Sequence, residues 1–150
     1  QARRSLDLRV LITIGAALGI GLAVESSGAA RYLGDALVQA SAPFGPIALL
    51  GAVFAATSLL AGVVYTATAA AIMYPIAAAA GAEAGMPGEA AALLVMHAAS
   101  TAFSSPIGYA ANLIVYGPGG YKYSDFIRLG LPLQVLLGVL SVTILWWLWL

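Results

Sequence analysis

Cysteine is absent from the 150 residues, which excludes disulfides and thiolate metal sites and leaves the redox compartment unread. Charge is nearly as scarce: six Lys or Arg and six Asp or Glu amount to 8% of the chain and cancel, against roughly 25% charged residues in soluble domains. No basic surface is left to hold nucleic acid, and no acidic tail suggests a basic partner. Histidine occurs once, at His97. What remains is 62% hydrophobic with a mean hydropathy of +0.98, the composition of a membrane protein.

The chain starts at Gln1 and ends in "LWWLWL" without a polar tail, so it reads as a fragment with an internal start near a true C-terminus. "ARRSLDLRVLITIG" also resembles a twin-arginine export signal, although Asp7 fits that motif poorly.

Four apolar stretches organise the sequence. Leu8–Val24 is a first span, slightly short of the ~20 residues a crossing helix needs, with Arg9 able to snorkel and Glu25 marking its end. Its Gly15, Gly19 and Gly21 give a small-residue face suited to helix packing; no strand precedes them, so phosphate binding is not expected. Residues 26–40 mix Arg31 and Asp35 with Ala30, Leu33 and Leu37 at helical spacing, which predicts a short interfacial helix, ended by "APFGP". The stretch 47–80 would run about 51 Å as one helix against a hydrocarbon core of about 30 Å. It is too long for one crossing and too short for two with a turn. A re-entrant hairpin fits, with Tyr65, Thr66 and Thr68 near its tip and Pro75 in the returning arm.

Charge supports the same topology, because Lys and Arg concentrate in cytoplasmic loops. With 47–80 re-entrant, Arg3, Arg4, Arg9, Lys122 and Arg128 lie inside, while the acidic loop "GAEAGMPGEA" (81–90) lies outside. The third stretch, 93–115, is helical to Phe103, interrupted by Pro106 and Gly108, and resumes at Asn112. A break facing lipid would leave backbone groups unsatisfied, so it must face protein or a water-filled cavity. The fourth, 129–150, is an uninterrupted span anchored at the interface by Trp146, Trp147 and Trp149.

A hairpin tip and a broken helix are the devices by which secondary transporters bind ions near the midplane: half-helix N-termini attract anions and unwound carbonyls coordinate Na⁺. "YTATAA" (65–70) would supply hydroxyls and a half-helix start, and "PIGYAAN" (106–112) carbonyls, a Tyr hydroxyl and an amide. His97 invites a proton-relay reading, but without an acidic neighbour in its stretch helix packing is the better expectation. Ser100, Ser104 and Ser105 beside it raise an intramembrane serine hydrolase, for which neither a nucleophile-base spacing nor a glycine-flanked Ser is present. No catalytic residue is assigned.

"SSPIGYAANLIVYGPGGYKYSDFIRLGLPLQ" resembles the C-terminal part of divalent anion/Na⁺ symporters, especially bacterial permeases of the solute carrier 13 type, in which a Pro-x-Gly-(Tyr or Thr)-x-x-Asn loop precedes "VYGPGGY" and a "DF-x-R-x-G-x-P" connector. "TATAAAIMYPIA" looks like that family's hairpin tip, and "LITIGAALGIGLAVESSGAARYLG" is similar to its preceding span. The resemblance covers almost the whole chain but only the second of the family's two inverted repeats.

It implies an all-α membrane fold: residues 1–150 as one transmembrane domain with three transmembrane helices, one broken, plus a re-entrant helical hairpin, half of an inverted-repeat transporter. It also implies Na⁺-coupled transport of sulfate or a dicarboxylate, in a bacterial inner membrane. The implied partners are lipid, the anion, Na⁺, the missing N-terminal repeat and a second copy in a homodimer. No cofactor is implied beyond Na⁺ as coupling ion. The family's Ser-Asn-Thr tip falls on Tyr65, Thr66 and Ala67, none of which is retained; Thr66 and Thr68 are the hydroxyls that remain. Substrate binding then falls to Thr66, Ala67, Thr68, Tyr109 and Asn112, and ion binding to Thr66 and the Gly108 carbonyl, with Asn112 bracing the loop. Two other readings stand beside this one: a truncated repeat that transports nothing without a partner half, and an arsenite, citrate or Na⁺/H⁺ transporter of the same superfamily.

Overall fold

The computed structural model describes residues 19, 22–24, 26–106, 109–116 and 118–149. Most of the first span, with Arg9, Gly15, Gly21 and Glu25, and the loop residue Gly108 lie outside the described residues. Every element among the described residues is helical: α1 (Ala29–Ser41), a 3₁₀ turn (Ala42–Phe44), α2 (Pro46–Ala61), α3 (Thr66–Glu83), α4 (Gly88–Ser100), α5 (Ala110–Tyr116) and α6 (Tyr123–Trp149).

Residues 47–80 form a helical hairpin. Pro46 opens α2 at a position where its missing N–H costs nothing, after Gly45 at φ 82°, a value that favours glycine. The chain turns at Gly62–Tyr65, just before the polar residues expected at the tip. Pro75 sits inside α3 without ending it.

The segment expected to be an acidic loop over 81–90 is shorter. Gly81–Glu83 finish α3 and Gly88 begins α4, so only Ala84–Pro87 connects them. The cause is a Schellman cap: Gly85 takes φ 74°, Gly85 N–H bonds Ala82 O at 3.3 Å, and Met86 N–H bonds Gly81 O at 2.8 Å. Gly81 leaves the room that the buried Met86 side chain fills.

The broken span begins earlier than expected, at Gly88, and its helix ends at Ser100 rather than Phe103. Beyond it Thr101 Oγ1 bonds back to Ala98 O at 2.9 Å and Phe103 N–H bonds Thr101 O at 2.8 Å, a tight turn that ends the helical ladder. The last helix also starts early. Asp125 Oδ2 accepts the Lys122 N–H at 2.8 Å, half of a capping box, so "YSDFIR" is the first part of a 27-residue helix and not a loop.

The core sits among the hairpin, α4 and α6: Leu50 and Val53 from α2, Met73 and Ile76 from α3, Leu94 and Val95 from α4, Val142 and Leu145 from α6. Helix α1, expected to be interfacial, packs along α3, where Gly34 brings the backbones so close that a Cβ would lie 3.0 Å from Ala80 N. Gly19, expected to serve close helix packing, has open space where a Cβ would be. Next to the tip lies a second buried cluster made only of alanines, Ala61, Ala69, Ala99 and Ala102. Small side chains there let the hairpin end approach the end of α4 closely.

Candidate functional site

Where α4 ends, the chain runs irregularly from Thr101 to Pro106, with Tyr109 just before α5, and the described residues of this break loop lie beside the hairpin turn. A Cβ on Gly62 would meet the Ser105 Cβ at 3.6 Å. A cleft of about 450 Å³ opens beside them, lined by Tyr65, Thr66 and Ala67 at the start of α3, Ser100 at the end of α4, Tyr109 at the end of the break loop and Ala111 in the first turn of α5, among others. Tyr65 and Tyr109 are each 45% exposed, so both rings flank the opening.

Of the residues expected from sequence, Thr66, Ala67 and Tyr109 therefore share one space. Thr68 does not line it; its N–H bonds Tyr65 O at 2.9 Å within the first turn of α3. Asn112 stands behind the loop, its Nδ2 donating to Ser105 O at 3.1 Å. The buried carbonyl of a break thus meets a fixed donor. Ser100 Oγ donates to Met96 O at 2.8 Å, and Ser104 offers its backbone N–H to Gln134 at 3.3 Å. The histidine bonds neither serine: His97 Nδ1 lies 2.7 Å from Ser141 Oγ on α6, and Ser141 Oγ donates to Leu137 O at 2.7 Å. Since that hydroxyl hydrogen is committed, His97 Nδ1 is the donor of the pair. His97 is a helix-to-helix link outside the cleft lining.

Gln134 is the residue that sequence reasoning missed. It is 6% exposed in the middle of α6, accepts the Ser104 N–H and donates through Nε2 to Ser58 Oγ on α2. One turn earlier, Gly130 lies so close to the break loop that a Cβ would overlap the Phe103 carbonyl. The i, i+4 spacing of Gly130 and Gln134 is the signal that a helix face approaches something closely there.

No Lys, Arg or His among the described residues lines the cleft, and the charge those residues offer an anion is the positive end of α3. At the opposite end of α3, the Asp35 carboxyl on α1 holds the exposed Glu83 carboxyl above the ordinary carboxylate range, first by a shared hydrogen bond and then by like-charge repulsion; Arg31 opposes the shift. No group of His, Asp or Glu among the described residues is arranged to hold a metal ion.

The model of one family, described as the sodium:sulfate symporter transmembrane region, matches residues 6–150. Among curated proteins, the chain is 36% identical over 144 residues to a putative sulfur deprivation response regulator of Chlamydomonas reinhardtii, covering 96% of this chain and 25% of that protein. It is 36% identical over 146 residues to sodium/sulfate cotransporter 1 of the same alga, covering 97% of this chain and 17% of that one. Against solute carrier family 13 member 2 of Mus musculus it is 31% identical over 147 residues, covering 90% and 23%. The chain thus spans a quarter or less of the length of these relatives. No solved structure matches it.

Proposed function

The chain belongs to the sodium:sulfate symporter transmembrane family, and on that premise we propose that its hairpin tip and break loop are two walls of a site that moves a small anion, sulfate or a dicarboxylate, together with Na⁺. The observation that carries this reading is the shared cleft of about 450 Å³, which joins the N-terminal turn of α3 to the Tyr109 side of a broken helix. These are the two backbone devices that hold anions and Na⁺ in transporters. Thr66 and Tyr109 offer hydroxyls to the anion and Ala67 a first-turn amide. The role of Na⁺ ligand stays assigned from sequence to Gly108, and Asn112 braces the loop at the Ser105 carbonyl.

Helix α2, of 16 residues, rises about 24 Å, short of a hydrocarbon core of about 30 Å, which supports a hairpin that enters and leaves on one membrane face; α3, of 18 residues, rises about 27 Å. Among the described residues, α6 is the helix long and apolar enough to cross.

Among the described residues lining the cleft none is cationic, which bears on the mechanism. A doubly charged anion there needs neutralising by the α3 terminus, by co-bound Na⁺, and by groups facing it from the rest of the transporter. Co-bound Na⁺ would supply part of that balance. The same observation favours a second reading, in which this chain is a half-site that transports nothing until the facing repeat is present.

Thermal unfolding of the purified chain, titrated with Na⁺ in the presence of sulfate or succinate, separates the two. A working site gives saturable stabilisation by the anion only when Na⁺ is present, weakened in Tyr109→Phe. A flat response in all conditions leaves the half-site reading and removes the first.

A further inference from the structure

A glutamine buried in the middle of an apolar helix is costly unless both ends of its amide are bonded. Gln134 meets that condition by joining three separate pieces of chain. A backbone N–H can only donate, so Oε1 is the end that faces Ser104, and Nε2 is left to donate to Ser58 Oγ. Ser58 is itself 2% exposed, and its carbonyl accepts the Gly62 N–H at 3.1 Å, so it sits one turn from the hairpin tip. Ser104 belongs to the break loop, and its neighbour Ser105 is the residue that Asn112 braces.

We infer that Gln134 is a positioning residue: it latches the break loop to the outgoing arm of the hairpin and so holds the two walls of the cleft in register. It touches neither anion nor ion, since it lies outside the cleft lining. Gly130, one turn away, lets α6 approach closely enough for the latch to close. The inference rests on the transport reading for what the cleft binds, but the latch itself is a statement about loop position.

The chain has no native cysteine, so a single Ala111→Cys reports on the cleft wall directly. The full chain carrying this reporter is labelled with a water-soluble maleimide, alone and combined with Gln134→Met, which keeps length and volume but deletes both bonds. Ser58→Ala, which removes one end only, serves if Gln134→Met does not fold. Ser141→Ala, which removes the His97 link elsewhere on α6, is the control for general loosening. The half-saturating Na⁺ concentration for thermal stabilisation in sulfate is measured in parallel.

Loss of the latch raises the labelling rate and the half-saturating Na⁺ each by about tenfold, with the Ser58→Ala and Gln134→Met effects not additive. Ser141→Ala changes neither. Equal labelling in Gln134→Met (or, if that fails to fold, Ser58→Ala) and Ser141→Ala overturns the latch, whatever the melting temperatures do. Faster labelling in a chain whose wild type ignores Na⁺ leaves the latch standing and removes the transport reading instead.

Discussion

The two walls of the cleft are built by opposite means. The break loop is held by polar side chains reaching in from other elements: Gln134 on α6 and Asn112 on α5 each bond its backbone. The hairpin turn at Gly62–Val64 has side chains that carry no polar group. It is closed by main-chain bonds such as Val64 N–H to Leu60 O at 2.9 Å, and pressed onto α4 through alanine contacts. A wall fixed by directional bonds keeps its shape when its neighbours shift. A wall fixed by packing moves as a unit, which suits the tip to be the part that responds when the cleft opens or closes.

That contrast can be broken most forcefully at Gly130. In Gly130→Val the new side chain collides with the Phe103 backbone, which has no rotamer to escape into, so a loss of about 3 kcal/mol or more is expected, read as a lower denaturation midpoint in detergent. On the packed wall, Ala69→Leu overfills the alanine cluster. A loss of about 2 kcal/mol is expected there, and single cysteines on the tip should show faster labelling while those on the break loop stay unchanged. Independent behaviour of the two walls would be visible in that experiment; parallel changes in both would erase the distinction.

Asn112→Ala is a smaller perturbation on the bonded wall. It strands the Ser105 carbonyl and should cost about 1 kcal/mol, with Asn112→Asp no better, because a carboxylate cannot donate to a carbonyl.

The smallest effect lies far from either wall and serves as the reference. Glu83 has its folded-state pKa raised, so its protonated form is favoured in the fold. The contribution is complete below the ordinary carboxylate pKa and is lost as pH rises through the raised value. The contact between α1 and α3 therefore loosens slightly on going from acidic to neutral pH. Glu83→Gln removes that dependence, measurable as a melting temperature that no longer falls across the interval, with labelling at both cleft walls unaffected.

Legibility in the sequence followed the same divide. That 47–80 is two helices was readable because it is too long for one crossing, and the turn lies directly before Thr66. The break was readable from Pro106, which cannot continue a helical ladder. The ends of α4 and α6 were not, because they depend on a capping box at Lys122 and Asp125 and on side-chain bonding at Thr101, local chemistry that hydropathy does not register. Gln134 was the largest omission. Its partner Ser58 lies 76 residues away, and the spacing of Gly130 and Gln134 marks a close approach without identifying what approaches. The membership of one family, by contrast, was carried by a long contiguous motif, and the match over residues 6–150 bears out that resemblance.

The most direct test of the account asks whether tip and loop are walls of one site. Single cysteines at Ala67 and at Ala111, which line the cleft from the two sides, are labelled with a maleimide in the presence of Na⁺, sulfate, both, or neither. Na⁺ and sulfate together are expected to slow labelling at both positions, with matching concentration dependence, while sulfate alone does little. Protection at one position only, or at the two with different concentration dependence, would contradict it.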